Sequence, residues 1–478
     1  MLTTIQIGAV IGLIVLILYM ITIIGLVTVI ITENRNPLKT IPWVVVLMFV
    51  PGIGLILYFF FGQDNRKQRI ISRRIYKRIM KRPQQGTPSI DTTLIPESYH
   101  PLVHLLSRSN ESSLLYGSKI ETYINGQSKY EALLKAIRQA RDHIHIEYYI
   151  FSNDKIGNRI KEALIDKAKE GVEIRLIYDD VGSWNTKQYF FREMKEAGIE
   201  VFAFLPVAFP TLTSKVNYRN HRKIVVIDGK IGFTGGMNIA DRYNEGVSWG
   251  IWRDTHFRIE GRGVYGLQSV FLIDWYVLSK KLVQGRRYYP PVESFGDNLM
   301  QVATSGPVGP WRTLLQAIIF CVANAKKSIL IQTPYFMPTE GLNQALQSAA
   351  LGGIDVQLML PKRSDTQTAN MASHSFLDDM VKAGVKVFFY TAGFLHSKLL
   401  VFDEEVVSIG SANIDFRSFE HNFEMNLFVY QKEFALEMTR MFTKDLASCE
   451  RLIPSRWLLR PRWQRMCESF MRLFSPLL

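Results

Sequence analysis

The stretch NHRKIVVIDGKIGFTGGMN, from Asn220, recurs in outline as LHSKLLVFDEEVVSIGSAN, from Leu395. His221, Lys223 and Asp228 of the first copy match His396, Lys398 and Asp403 of the second, in the spacing H-x-K-x4-D. Ten residues after each Asp stands Asn238 or Asn413, preceded by Gly235-Gly236-Met237 or Gly410-Ser411-Ala412. A repeat of this kind constrains the fold more than composition does, because each copy needs its own comparable set of elements.

The surroundings repeat as well. "EALLKAIRQARDHIHIEYYIF" reads as a helix followed by a strand, and "TLLQAIIFCVANAKKSILIQTPYF" answers it in the second half. Helices alternating with apolar strands at short intervals predict an α/β fold with a largely buried sheet. The duplication therefore covers whole domains, residues 116–290 and 291–450. Residues 451–478 mix Trp457, Trp463 and Phe470 with Arg456, Arg460, Arg462, Arg465 and Arg472. Such a basic amphipathic segment suits either an interfacial helix or a terminal helix docked on the domain.

The N-terminus is of another kind. No charged residue occurs from Leu2 to Thr32 or from Thr40 to Gln63. A bilayer core needs about 20 apolar helical residues, so residues 1–63 are expected to form a transmembrane helical hairpin, with Pro51-Gly52 able to kink the second span. No basic stretch precedes the first run, which argues against a cleaved signal peptide. Residues 64–115 form a basic juxtamembrane segment and linker, from Arg66, Lys67 and Arg69 through Arg82. The loop between spans offers only Arg35 and Lys39. The positive-inside rule then places the duplicated domains in the cytoplasm, with the basic segment on anionic headgroups. The whole chain has 57 basic and 43 acidic residues, a net charge of +14, which favours anionic partners without choosing among them. Three scattered cysteines, Cys321, Cys449 and Cys467, suggest neither a metal site nor a disulfide framework, so a reducing compartment is the simpler reading.

"KIVVID" has the composition of a strand, and side chains alternate faces along a strand. His221 and Lys223 share a face, whereas Asp228 has the opposite parity and turns away to serve structure nearby. The same holds for His396, Lys398 and Asp403. If the repeats meet, two imidazoles, two ammonium groups and the amides of Asn238 and Asn413 converge. Such a set suits displacement at a phosphodiester. The cations and amides match the charge on five-coordinate phosphorus. One neutral imidazole attacks to give a covalent phospho-histidine. The other protonates the leaving alkoxide and then activates the incoming hydroxyl. One copy supplies one His, so the reaction needs both. An orienting carboxylate is expected for each ring, and Asp254 and Glu424 follow the two motifs at similar places.

A metal centre is the rival reading of a His-rich motif, but a lysine two residues away is no ligand and repels a cation. His143, His145 and Glu147 share a strand face, yet the matching "SILIQTPYF" has no His, so a polar strand face is expected there, with Glu147 able to approach the site. No phosphate-binding nucleotide loop occurs. No metal and no cofactor are expected.

Paired H-x-K-x4-D segments trailed by G-[GS]-x-N resemble the phospholipase D superfamily. "NPLKTIPWVVVLMFVPGIGLILYFFFG", "WRDTHFRIEG", "QTPYFMPT", "GSANIDFRSFEHNFE" and "RLFSPLL" are similar to stretches of the bacterial cardiolipin synthases within it. The resemblance spans almost the whole chain. It implies two phospholipase D-like α/β/α domains forming one shared active site. It implies phosphatidyl transfer between two phosphatidylglycerol molecules, giving cardiolipin and glycerol at the inner membrane. It also implies His221 as nucleophile and His396 as general acid, roles that internal symmetry leaves exchangeable. Lys223, Asp228, Lys398 and Asp403 complete the catalytic motifs, and Asn238, Asn413 and Ser411 would meet substrate. Ser411 has Gly236 as its counterpart, so a hydroxyl contact exists in one half alone. Anionic phospholipids and the membrane are the expected partners, and nucleic acid is not. Hydrolytic phospholipase D action and a membrane-anchored nuclease remain the alternatives.

Overall fold

The computed structural model describes residues 2–32, 37–50, 52–62, 70–82, 92–206, 217–292 and 294–477. Arg35, Pro51, Arg66, Lys67 and Arg69, which carried part of the hairpin and charge argument, lie outside these residues. The chain divides into two compact units, residues 1–65 with 207–217, and residues 66–206 with 218–478.

In the first unit the opening apolar run is one helix, Leu2–Thr32. Its part Gln6–Thr32 is long and apolar enough to cross a membrane. The second run is interrupted where a kink was expected, and more sharply than a kinked single helix would be. It forms a helix over Pro37–Phe49, is redirected at Gly52, where φ is +75°, and resumes as Ile53–Leu57 and a wider turn over Tyr58–Gly62. A positive φ, open to glycine, turns the chain while hydrogen bonds bridge the break, Gly54 N–H donating to the Val50 carbonyl at 2.8 Å. The two runs pack together through Ile23, Ile30, Leu47 and Tyr58, and Tyr19 donates to the Leu47 carbonyl.

The second unit is organised by one continuous sheet, which both repeats share. The first repeat supplies β1 (Leu114–Tyr123), β2 (His143–Tyr148), β3 (Glu173–Asp179), β4 (Glu200–Phe204), β5 (Lys223–Ile227), β6 (Ile231–Gly235) and β7 (His256–Gly261). The second supplies β8 (Asn298–Ser305), β9 (Ser328–Gln332), β10 (Asp355–Pro361), β11 (Lys386–Tyr390), β12 (Leu399–Phe402), β13 (Val406–Gly410) and β14 (Asn422–Val429). Across the sheet the order is β4-β3-β2-β5-β6-β7-β1, then β8-β14-β13-β12-β9-β10-β11. The second series is the first read backwards. The halves join where β1 and β8 run antiparallel, Leu115 opposite Met300. Within each half the outer strands are parallel and fed by helices, as a βαβ grammar requires.

Local sequence explains the crossovers. Asn125 caps the helix Gly126–Gln139 by accepting from Ser128 N–H, and Asp154 caps Lys155–Lys169 by accepting from Gly157 N–H. Leu133, Leu134 and Ile137 of the first helix, with Ile160 and Leu164 of the second, reach one core with Ile144, Ile146 and Leu176 of the sheet. The equivalent core of the second repeat gathers Leu314, Ile318, Ile329, Leu358 and Phe376.

Two short parallel pairs tie the repeats across their junction. Arg219–Asn220 pairs with the start of β14, Asn422 opposite Arg219. Gly393–Leu395 pairs with Ile251–Arg253. Each catalytic-motif histidine follows directly on one of these pairings.

Candidate active site

Because of those pairings, each motif begins against the other repeat. His221 N–H donates to the Phe423 carbonyl at 2.9 Å, and His396 N–H to the Arg253 carbonyl at 2.7 Å. The residue after each of these carbonyls is an acid, Glu424 and Asp254. The orienting carboxylates therefore cross over. His221 Nδ1 lies 3.0 and 3.1 Å from the two Glu424 oxygens, and His396 Nδ1 lies 2.6 Å from Asp254 Oδ2. Both acids are fully buried. A carboxylate only accepts, so each Nδ1 carries the proton and each Nε2 is left with its lone pair.

Both imidazoles line one cavity of about 300 Å³, together with Asn238, Asn413, Tyr149, Arg242 and Arg417. The ring of Tyr149 meets His221 edge-on, and Trp252, Phe394 and Tyr243 surround His396.

The lysines stand behind the rings. Lys223 Nζ donates to the His221 carbonyl at 2.5 Å, and Lys398 Nζ to the His396 carbonyl while lying 3.0 Å from His396 Nδ1. With Nδ1–H committed to Asp254, the last contact is one of charge. Burial lowers the Lys223 ammonium to about 7 and that of Lys398 to about 8. Burial, then Lys398, brings His396 down to about 4, while burial also lowers His221 against the pull of Glu424. Burial alone would raise both acids. Lys398 and His396 outweigh it at Asp254, and His221 and Lys223 at Glu424, so both stay below the usual carboxylate range. Near neutral pH both imidazoles are therefore neutral, each on its carboxylate.

Asp228 and Asp403 stay out of this group. Asp228 accepts from the N–H groups of Arg141, Asp142 and His143, and Asp403 from those of Lys326, Lys327 and Ser328. Each clamps the start of the strand beside its motif, so they are structural parts of the motif rather than groups facing the imidazoles. Their backbone is left-handed, with φ of +53° and +55°.

The expected substrate contacts divide. Asn238 accepts from Ile150 N–H and donates to Tyr243 Oη, so its amide is committed to protein. Asn413 keeps a buried Oδ1 with no protein partner. Ser411 Oγ donates to Glu424, and its backbone N–H to the Met425 carbonyl; the hydroxyl thus holds the carboxylate. His143 and His145 lie on one face of β2, and that polar face is fully buried. His145 stacks on Phe271 and bonds Arg175 and Gln268. Among the described residues no group of three or more His, Cys, Asp or Glu is arranged for a metal ion. Glu147 reaches Asn220, the residue before His221.

Arg242 and Arg417 went unremarked in the motif reading although the signal was there. Each stands four residues after its Asn, in NIADR and NIDFR. They add two guanidinium groups to the cavity wall.

The family pattern described as "Cardiolipin synthase, PLD-like domain" matches residues 133–247 and 318–446. The chain belongs to the cardiolipin synthases of the phospholipase D superfamily. Residues 11–63 match the pattern "Phospholipase D-nuclease N-terminal" of the same group. A cardiolipin synthase of Geobacillus sp. is 39% identical over 452 residues, covering 93% of this chain and 90% of that one. A major cardiolipin synthase of Bacillus subtilis is 37% identical over 471 residues, covering 96% and 98%. In three dimensions the phosphatidylserine synthase of Haemophilus influenzae matches with a TM-score of 0.61, at 14% identity, over 79% of this chain and all of that one. At that identity the likeness speaks for the fold.

Proposed function

We propose that this cardiolipin synthase transfers a phosphatidyl group between two phosphatidylglycerol molecules, with His221 and His396 as the reacting pair. One observation carries the proposal: two imidazoles from two repeats line one cavity, each held at Nδ1 by a carboxylate of the other repeat.

The chemistry follows from the arrangement. His221 Nε2 attacks the phosphorus of the first lipid, and the P–O bond to glycerol breaks. Protonated His396 gives its proton to the departing alkoxide, so glycerol leaves neutral and a phosphatidyl-histidine remains. The now neutral His396 takes a proton from a glycerol hydroxyl of the second lipid. That oxygen attacks phosphorus, the P–N bond breaks, and cardiolipin forms with both rings restored. Lys223, Lys398, Arg242 and Arg417 offset the negative charge on the phosphoryl oxygens. The empty cavity disfavours an imidazolium. A phosphodiester anion arriving between the rings opposes that effect, so substrate itself raises the acid's proton affinity.

A second reading exchanges the two roles. His396 is brought down to about 4, with Lys398 at 3.0 Å from its Nδ1, which favours the neutral form that a nucleophile needs. Peptide mapping of the trapped phosphatidyl-histidine decides between them.

The apolar first helix and the N-terminal family match support membrane attachment. The basic run after residue 63 supports a cytoplasmic site, which labelling of single cysteines in intact and opened vesicles tests. The reaction is tested with the purified chain and phosphatidylglycerol alone. Cardiolipin and glycerol in equal amounts are the expected products. Phosphatidic acid in place of cardiolipin would make the enzyme a hydrolase, and cleavage of single-stranded DNA a nuclease.

A further inference from the structure

The C-terminal helix, Arg462–Arg472, docks by its polar face. Glu468 is its one fully buried position, 2% exposed, and Ser475 just beyond its end is 1% exposed. Glu468 accepts from Arg460, which also bonds Asp378, and Asp378 accepts from Trp457 Nε1. Arg472 lies over the Phe376 ring at 4.0 Å. The partner in this packing is the helix Gln367–Lys382. The opposite face is apolar and open: Leu459 is 83% exposed, Trp463 67%, Met466 68%, Phe470 54%, Leu473 73% and Leu477 51%. A helix of a water-soluble surface is docked the other way round, apolar side inward. The helix is docked on the domain and still turns an apolar face outward.

The residues that follow the helix reach the active site. Leu477 gives its carbonyl to Arg417 Nη1 at 3.3 Å, and Arg417 lines the cavity of the two imidazoles. The helix beneath it starts beside Thr366 and Ala369, which line the same cavity. Exposed Arg456 and Arg462 flank the apolar face.

We propose that this face is immersed in the headgroup and upper acyl region of an anionic bilayer, and so presents the mouth of the cavity to lipids that have not left the membrane. A bilayer fits better than a second protein copy because arginines border a Trp-Phe-Leu face, the pattern of an interfacial helix drawn to anionic lipid. The inference rests on the lipid-transfer reading for its consequence, but the position of the face can be measured without turnover.

The test uses the full chain with Cys449 and Cys467 changed to Ser and the buried Cys321 kept, and one accessible cysteine placed by Met466→Cys, Phe470→Cys or Leu473→Cys. An environment-sensitive dye is attached, and the protein is reconstituted into phosphatidylglycerol–phosphatidylcholine vesicles containing doxyl-labelled lipid. Quenching several-fold stronger than at a control Arg192→Cys, on the open helix Gln188–Glu196, supports the proposal. Quenching no stronger than the control overturns it, and so does a blue-shifted, unquenched dye, which would mean that protein covers the face. In a second arm, Phe470→Asp with Leu473→Asp lowers turnover of bilayer phosphatidylglycerol at least tenfold and leaves the rate on monomeric short-chain phosphatidylglycerol unchanged. Equal loss on both substrates overturns the proposal. Strong quenching in a parent protein that transfers no lipid would sink the reaction and still support the membrane face.

Discussion

One half of the catalytic cavity is served by an aspartate beside a glycine, the other by a glutamate beside a serine. The two acids are equivalent in the repeat, Asp254 standing two residues before His256, which pairs with Gly235, and Glu424 two residues before Asn426, which pairs with Gly410. Asp254 is one methylene shorter than Glu424. A Cβ on Gly236 would stand 2.0 Å from Asp254 Oδ1, so the bare backbone is what admits that carboxylate. In the other half the longer Glu424 leaves room for Ser411, whose hydroxyl then fixes it. Two solutions deliver an acceptor to Nδ1. What the repeat keeps is a placed oxygen, and the side chains around it differ.

The comparison is broken most severely at the rings. His221→Ala and His396→Ala should each lower transfer by ~10³-fold or more, since one removes the nucleophile and the other the acid. A donor lipid with a p-nitrophenol leaving group separates the roles. It needs no general acid, so it should rescue the first step in the His396 variant and not in the His221 variant; the reverse pattern assigns the roles the other way. Neutralising the orienting acids comes next. Asp254→Asn and Glu424→Gln should each lower turnover by roughly 10²-fold or more, because an amide can hold the wrong tautomer. The pH–rate profile shows whether the imidazole has lost its partner.

Smaller changes test whether the two solutions are interchangeable. Gly236→Ala should displace Asp254 and lower turnover by about 10²-fold, with little change in KM. Ser411→Ala removes one hydrogen bond to a charged oxygen and should lower turnover by about tenfold. If Gly236→Ala is the milder of the two, the steric account of the first half is wrong.

The same comparison marks how far the sequence could be read. The repeat, the α/β grammar and the His–Lys face follow from periodicity and strand parity, and parity also turned Asp228 and Asp403 toward backbone amides. The crossing of Glu424 to His221 and of Asp254 to His396 depends on how the repeats join, through pairings 203 and 142 residues apart, and no local pattern encodes that. Arg242 and Arg417 were visible as a second repeated offset. The break at Gly52 was legible in the Pro51-Gly52 pair, whereas counting apolar residues measures length alone and did not show that the second run divides into separate helices. His143 and His145 were read as a polar strand face, but the alternation of β2 does not say what covers that face, which the structure packs under Phe271 and Tyr288.

The finest distinction between the halves lies in the two lysines. Burial brings Lys223 to about 7 and Lys398 to about 8, both below the unfolded value of about 10.4. Between the folded and unfolded values the unfolded chain binds a proton that the folded chain does not. Stability therefore rises with pH, from about 7 for Lys223 and from about 8 for Lys398, until both states are neutral. This is the reverse of a lysine that gains a carboxylate on folding. Lys223→Met should flatten the rise from its lower edge, and Lys398→Met only from about 8 upward, with thermal midpoints of the detergent-solubilised chain followed from pH 6.5 to 10. A phosphodiester analogue in the cavity should shrink both slopes, because its charge favours the ammonium forms. A midpoint in Lys223→Met that varies with pH as the parent does would mean that this ammonium keeps its charge in the empty site, and the contrast between the two halves would then rest on the carboxylates alone.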